Sequence, residues 1–347
     1  MKSIVLAAAV LCAISWPDPL RADDTGILVV LNKSEASASI LDLRTGEEIA
    51  RLPTGSGPHE VAVSADGTIG VVADYGTERP GNTLTVLDLT SREARSTIDL
   101  GEHARPHGIL FLDGNRILCT TEESRSLLVV DVRRGAVEAI MDTGGPVGHM
   151  VAVSDDRARA FVPNMYGDSL ACFDLGSLER IALVELGEQP EGIDARPGSQ
   201  EIWVTNRASN TISIVDSVKL EVVATLPCGE FPIRLKFTPD GRHALVSNAR
   251  SGDLAVFDAD TRKEVRRIPM LARAIESTDQ RLFGDRFEDS PVPVGIVVHP
   301  QGTRAWVANT NADVISVIDL GRWELTDRLV AGKEPDGMAW APSPASD

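Results

Sequence analysis

Three times in this chain a histidine directly follows the residue that opens an apolar run: Pro58-His59-Glu60-Val61, Pro106-His107-Gly108-Ile109 and Gly148-His149-Met150-Val151. The chain has six histidines, so half of its imidazoles share one local context. Neutral imidazole nitrogens suit a borderline metal such as zinc, iron or copper, with carboxylates as further ligands or as partners that orient the rings. The same residue types can polarise a carbonyl and activate water. Whether the three can act together depends on the elements that carry them.

Those elements repeat. The stretches "GNTLTVLDLTSREARSTIDLG" (81–101), "SNTISIVDSVKLEVVATLPCG" (209–229), "SGDLAVFDADTRKEVRRIPM" (251–270) and "NADVISVIDLGRWELTDRLVAG" (311–332) are copies of one unit. Each unit reads as four short strands joined by hairpins, with pairs such as Asp66-Gly67 and Asp240-Gly241 where a tight turn needs a positive φ. Units start at Pro58, Pro106, Gly148, Pro190, Pro232, Pro293 and Pro335, giving spacings of 48, 42, 42, 42, 61 and 42. Sixteen residues after the first six starts come Asp74, Glu122, Asn164, Asn206, Asn248 and Asn309, with Asn32 at the matching place near the N-terminus. The last start supplies one strand only, and "GILVVLN", "SASILDL" and "EEIARLP" supply the three it lacks.

This pattern predicts an all-β, seven-bladed β-propeller, with residues 337–341 as the innermost strand of the blade containing 26–53. The units resemble the YVTN-type β-propeller repeat, seen in "IWVTNRASNTISIVD" and "AWVANTNADVISVID", and the resemblance covers essentially everything after Thr25. It implies a fold in which the first strand of each unit is innermost, and a family that includes surface-layer-type binding proteins and lactonase-like enzymes. It does not select among those functions.

Given that fold, the residue after each unit start lies on one rim of the central channel, in the ring order Asp336, His59, His107, His149, Glu191, Ile233, Val294. Three histidines on adjacent inner strands, flanked by carboxylates, form the candidate metal and ligand site. Asp74 and Glu122 replace Asn on the same rim, and Arg105, Arg207, Arg234 and Arg250 fall near it, where arginine could neutralise the acids or clamp a carboxylate or phosphate. Duplication can also leave such residues as unused copies on a hydrated rim. Both length insertions, "YGTERPGN" and 271–292, are expected to overhang this mouth, the longer one as a lid combining Leu282, Phe283 and Phe287 with Arg281, Asp285, Arg286 and Asp289, or as an idle surface loop. His103 and His299 read as structural, His299 at the opposite end of its strand.

The remaining features bound the function. A net charge of -17 argues against nucleic acid or an anionic membrane as partner. Lys2, the apolar run 4–14 and the exit at Ala22 read as a secretory signal over 1–22, which places a single-domain mature chain, 23–347, in the periplasm or outside the cell with no membrane span. Cys119, Cys172 and Cys228 read as buried thiols or as one disulfide with a leftover. No nucleophile elbow, Walker loop, H-E-x-x-H helix or dinucleotide fingerprint is present. Two expectations follow: a monomeric exported binding module holding a metal, a small molecule or a periplasmic protein at the histidine rim, or a lactonase-like hydrolase using that rim, with or without a metal.

Overall fold

The computed structural model describes residues 25–272, 281, 283–284 and 286–343. The expected signal segment, 1–22, lies outside the described residues, as does part of the insertion between the sixth and seventh blades. Among the described residues there are seven four-stranded antiparallel sheets and no α-helix; no helix is long and apolar enough to cross a membrane. The molecule is a seven-bladed β-propeller.

Blade 1 is the shared one, with Pro335–Ala341 inside and Ile27–Asn32, Ser37–Asp42 and Glu48–Pro53 following outward. Val29 lies opposite Ala339 and Leu28 opposite Trp340, so the two ends of the chain are joined in one ladder. Blades 2 to 7 begin with inner segments at Pro58, Pro106, Gly148, Pro190, Pro232 and Pro293, and most of the inner strands touch those of the neighbouring blades.

Each blade is apolar on both faces, and strand alternation assigns the faces. Ile27, Val29 and Leu31 join Val61, Val72 and Leu87 of blade 2, whereas Leu28 and Val30 join Trp306, Ile315 and Val317 of blade 7. Full burial of such a side chain contributes about 1.5–3 kcal/mol relative to exposure, so the core is the set of inter-blade seams. The Asp that ends each third strand closes the outer hairpin by accepting backbone N–H groups: Asp88 from Thr90 and Ser91, Asp216 from Val218 and Lys219.

The inner strands are set by a backbone device that is not apparent from composition. The residue before each unit start, namely Gly57, Arg105, Val147, Gln189, Phe231, Val292 and Glu334, has a left-handed φ between 53° and 59°. Only one of the seven is glycine, and the β-branched Val147 and Val292 are strained there. In six blades the carbonyl of this residue accepts the N–H of the residue just past the second strand: Lys33, Glu122, Met165, Arg207, Ala249 and Thr310. Each of these six blades thereby holds one more residue beside the start of its inner strand.

Candidate functional site

The three histidines converge. Ring centroids are 4.0 Å apart for His59 and His107 and 3.7 Å for His107 and His149, and all three residues are buried. Asp336 and Glu191 flank them as the ring order requires. Asp336 Oδ2 lies 2.7 Å from His59 Nδ1 and accepts from Lys33 Nζ at 3.3 Å. On the other side, Glu191 Oε1 is 3.8 Å from His149 Nε2, while its carboxylate takes Arg207 at 2.6 Å and Arg234 at 3.2 Å.

Glu122 reaches the same place by a different register from that expected. Pro106 pairs with Thr121, whereas Pro58 pairs with Asp74 and Pro190 with Asn206, so Thr121 occupies the Asn position and Glu122 is one residue beyond it. The first hairpin loop of blade 3 has four residues, 112–115, where blade 5 has five, 196–200. The connection before Gly148 regains the residue, so the 42-residue spacing conceals the slip. Glu122 therefore leaves the turn and enters the mouth, with Oε1 at 3.7 Å from His149 Nε2 and 4.0 Å from His107 Nε2. Tyr75 donates its hydroxyl to Glu122 Oε2 at 2.6 Å.

Asp74 and Arg105 do not join this group. Asp74 is sealed in its blade, accepting from Gly55 N at 3.0 Å and from the Thr83 and Thr85 hydroxyls, as Asn32 does from Gly332 N in blade 1. It serves the turn where five other blades use Asn and blade 3 uses Thr121. Arg105 lies outside the cavity, with Cζ 4.7 Å from the Tyr75 ring centre and Nε 3.4 Å from Glu123. Arg234 is present but points across the channel, with Nη2 2.7 Å from Glu60 Oε1. His103 meets Ser124 and His299 accepts from Gln301 N, both away from the mouth.

The mouth cavity, about 280 Å³, is lined by these side chains and by Phe283 and Arg286 from the insertion, so part of the long insertion does border it. The "YGTERPGN" insertion lengthens a hairpin, with Gly76 paired to Pro80, and its first residue, Tyr75, lines the same cavity. Lys33 and Tyr75 are functional candidates that the histidine ring alone does not reveal. They occupy the position one past the residue that pairs with the unit start, Asn32 and Asp74 respectively, as do Glu122, Met165 and Arg207 in the same lining. The repeat alignment contains this second ring.

Burial keeps two of the imidazoles, His107 and His149, neutral. Burial, reinforced by the charges of His149 and His59, holds His107 well below the ordinary imidazole range, and burial with Arg234 does the same for His149. Burial would raise Asp336, but the cationic influence of His59 and Lys33 outweighs it and holds that carboxyl well below the usual range. Burial raises Glu122 despite the Tyr75 hydrogen bond. Neither ring nitrogen of His107, nor Nδ1 of His149, has a hydrogen-bond partner. Buried unpartnered nitrogens are uncommon enough to require a reason. Donor atoms within 4.8 Å of one another fall into two sets, His107 with Glu122 and His149, and His59 with Glu60 and Asp336.

Comparison with known proteins places the fold. Residues 110–274 match the model of the YNCE-like β-propellers. That match, over a little under half of the chain, agrees with the propeller seen in the structure. One chain of hydrazine synthase from Kuenenia stuttgartiensis is similar at TM-score 0.67 and 15% identity, over 84% of this chain and 96% of that one. A functionally unknown protein from Desulfotomaculum acetoxidans DSM 771 is similar at TM-score 0.72 and 12% identity, over 92% of this chain and 99% of that one. At those identities the likeness is one of fold. No curated protein sequence matches. Among the described residues Cys119, Cys172 and Cys228 are free, Cys119 and Cys172 fully buried.

Proposed function

We propose that this protein is an exported binding module that holds a transition metal ion at the propeller mouth through His107, His149 and Glu122. The observation that carries the reading is the buried, unpartnered state of His107 beside His149, with a carboxylate within ligand distance of both. Two neutral imidazoles and one carboxylate suit zinc or ferrous iron and leave positions open for a further ligand. Copper fits the imidazoles equally well. His59, oriented by Asp336, stands beside His107 where it would meet whatever occupies an open position. Tyr75, donating to Glu122, fixes which carboxylate oxygen is directed at the histidines. Export rests on the charge and apolar pattern of 1–22, and the resemblance to YVTN-type repeats supports a binding role outside the cytoplasm.

The test is metal analysis of the purified mature protein after reconstitution with Zn²⁺, Fe²⁺ or Cu²⁺. About one equivalent, lost in His107→Ala and His149→Ala and kept in His103→Ala, is the expected result. Absence of stoichiometric metal in the wild type overturns the reading. A screen of lactones and esters with and without chelator belongs to the same experiment. Turnover lost in Glu122→Gln would move the assignment from binding module to lactonase-like hydrolase.

A further inference from the structure

Beside the histidine mouth lies a second arrangement that the metal reading does not use. The Arg207 guanidinium carbon is 5.0 Å from the centre of the Phe231 ring, and that of Arg286 is 5.0 Å from the same ring and 5.3 Å from Phe287. Arg250 stands 5.0 Å from Phe287, and the two phenyl rings are 4.8 Å apart. Three guanidinium groups and two phenyl rings thus alternate in one row. Phe231 and Phe287 are buried in a small apolar cluster with Ile233, Ala249, Val292 and Val294, so the row has a fixed backing.

The charge state of this row is unusual for the molecule. In a chain of net charge -17, carboxylates are plentiful, yet among the described residues neither Arg286 nor Arg250 is in a salt bridge, and both are exposed. Arg207 directs Nη1 to Glu191 and Nε to Gln189. A guanidinium stacked on an aromatic ring keeps its in-plane N–H groups free, and that fork matches the two oxygens of a carboxylate or phosphate. Holding three like charges in register has a repulsive cost, which an anion among them would relieve. Arg207 and Arg286 also line the mouth cavity, so the row borders the space in front of the histidines.

We propose that the Arg207, Arg286 and Arg250 row is an oxyanion-recognition edge of the mouth, which selects a small molecule bearing a carboxylate or phosphate group. This inference rests on the mouth being a ligand site but not on the presence of a metal. A cavity of about 280 Å³ admits a compact molecule with its anionic group at the arginine edge and its remainder toward His59, His107 and His149.

Calorimetric titration of the metal-free full-length mature protein tests it, with citrate, inorganic phosphate and, as a neutral control, glycerol. Citrate or phosphate should saturate, glycerol should not, and affinity should fall as NaCl rises. Saturation by citrate alone would identify a carboxylate ligand, and by phosphate alone a phosphate ligand. Arg286→Gln should weaken binding about tenfold or more, the effect of losing a charge-assisted hydrogen-bonding fork. Arg286→Lys should restore it only in part, and Arg266→Gln, on the outer strand Lys263–Pro269, should leave it unchanged. The proposal is overturned if neither oxyanion binds, if glycerol binds as well as they do, or if Arg286→Gln and Arg250→Gln bind like the wild type. Because no metal is present in the titration, failure here leaves the metal reading standing, and failure to bind metal leaves this one standing.

Discussion

Arg234, on the inner strand of blade 6, reaches across the central channel to Glu60, on the inner strand of blade 2, with Nη2 2.7 Å from Oε1. Both residues sit two positions after their unit starts, where four of the other blades carry glycine. A Cβ on Gly192 would lie 2.7 Å from the Arg234 Cα, and one on Gly337 would lie 2.8 Å from the Glu60 Cα. The glycines let neighbouring inner strands approach, and the two long side chains extend into the channel. Arg234 lines both the mouth cavity and a larger cavity of about 670 Å³ reaching toward the other rim, so this pair separates the two.

Removing the arginine should therefore unfold the ring more readily. Arg234 is 4% exposed and also serves Glu191. Arg234→Met leaves Glu60 without its cation in a buried place, and loss of one partner of a buried pair typically costs about 3–5 kcal/mol. Scanning calorimetry should show a lower melting temperature for Arg234→Met and recovery of most of the loss in Glu60→Met/Arg234→Met. A single variant as stable as the wild type would contradict the assignment.

Asp74 supplies the pH-dependent test. Burial, opposed by the Thr83, Thr85 and Gly55 hydrogen bonds, raises its carboxyl from 3.8 to about 6. The folded-state value lies above the unfolded one, so ionisation disfavours the fold: this penalty is full above pH 6 and fades as pH falls toward 3.8. Asp74→Asn supplies the same acceptor with no charge, and the amide can donate to the threonines as Asn206 does to Thr211 and Ser213. The variant should be more stable by up to about 3 kcal/mol at pH 7, with the difference shrinking toward pH 4. Urea midpoints of both proteins measured across that range check it, and a pH-independent difference would refute it.

Closure has its own measurement. Deleting residues 335–347 removes the inner strand of blade 1 and leaves the Ile27–Asn32 edge unpaired. The melting temperature should drop steeply, because a ring of blades loses its seams on both sides of the gap. An unchanged melting temperature would eliminate the shared-blade account.

The thiols should be inert in the native state. Burial pushes Cys119, Cys172 and Cys228 up to about 12, so little thiolate is present at neutral pH. In the chain without residues 1–22, a chromogenic disulfide reagent should titrate these three thiols only on unfolding, Cys228 first because it is the one only partly buried. Reductant should leave the melting temperature unchanged.

Much of this architecture is legible in the sequence because each blade repeats its punctuation. The Asp that closes the outer hairpin and the Asn at the end of the second strand recur at fixed distances, and the period locates His59, His107 and His149 in one ring. The same arithmetic fails at Glu122, where a one-residue deletion and a one-residue insertion cancel within a unit of ordinary length. It also groups Asp74 with the rim acids, because spacing alone does not say which way a side chain faces. Strand alternation does: the Asn position points into its own turn and the next residue points to the mouth. That places Lys33 and Tyr75 at the site and removes Asp74. The left-handed residues before the inner strands leave no such trace, since Val147, Phe231 and Val292 are residue types that ordinarily avoid that conformation.

Asn32 accepts a hydrogen bond from Gly332, a residue 300 positions away, at 2.7 Å. Such a contact has a history as well as a strength. A chain emerging from its N-terminus presents the apolar strand Ile27–Asn32 first and its inner partner Pro335–Ala341 last. Through all of that interval the oldest sheet offers an open backbone edge to any other strand, including one from a second copy. The period of greatest risk for this protein is thus the time between making its first strand and its last, and concentration and holding factors during that time should govern yield more than the stability of the finished ring.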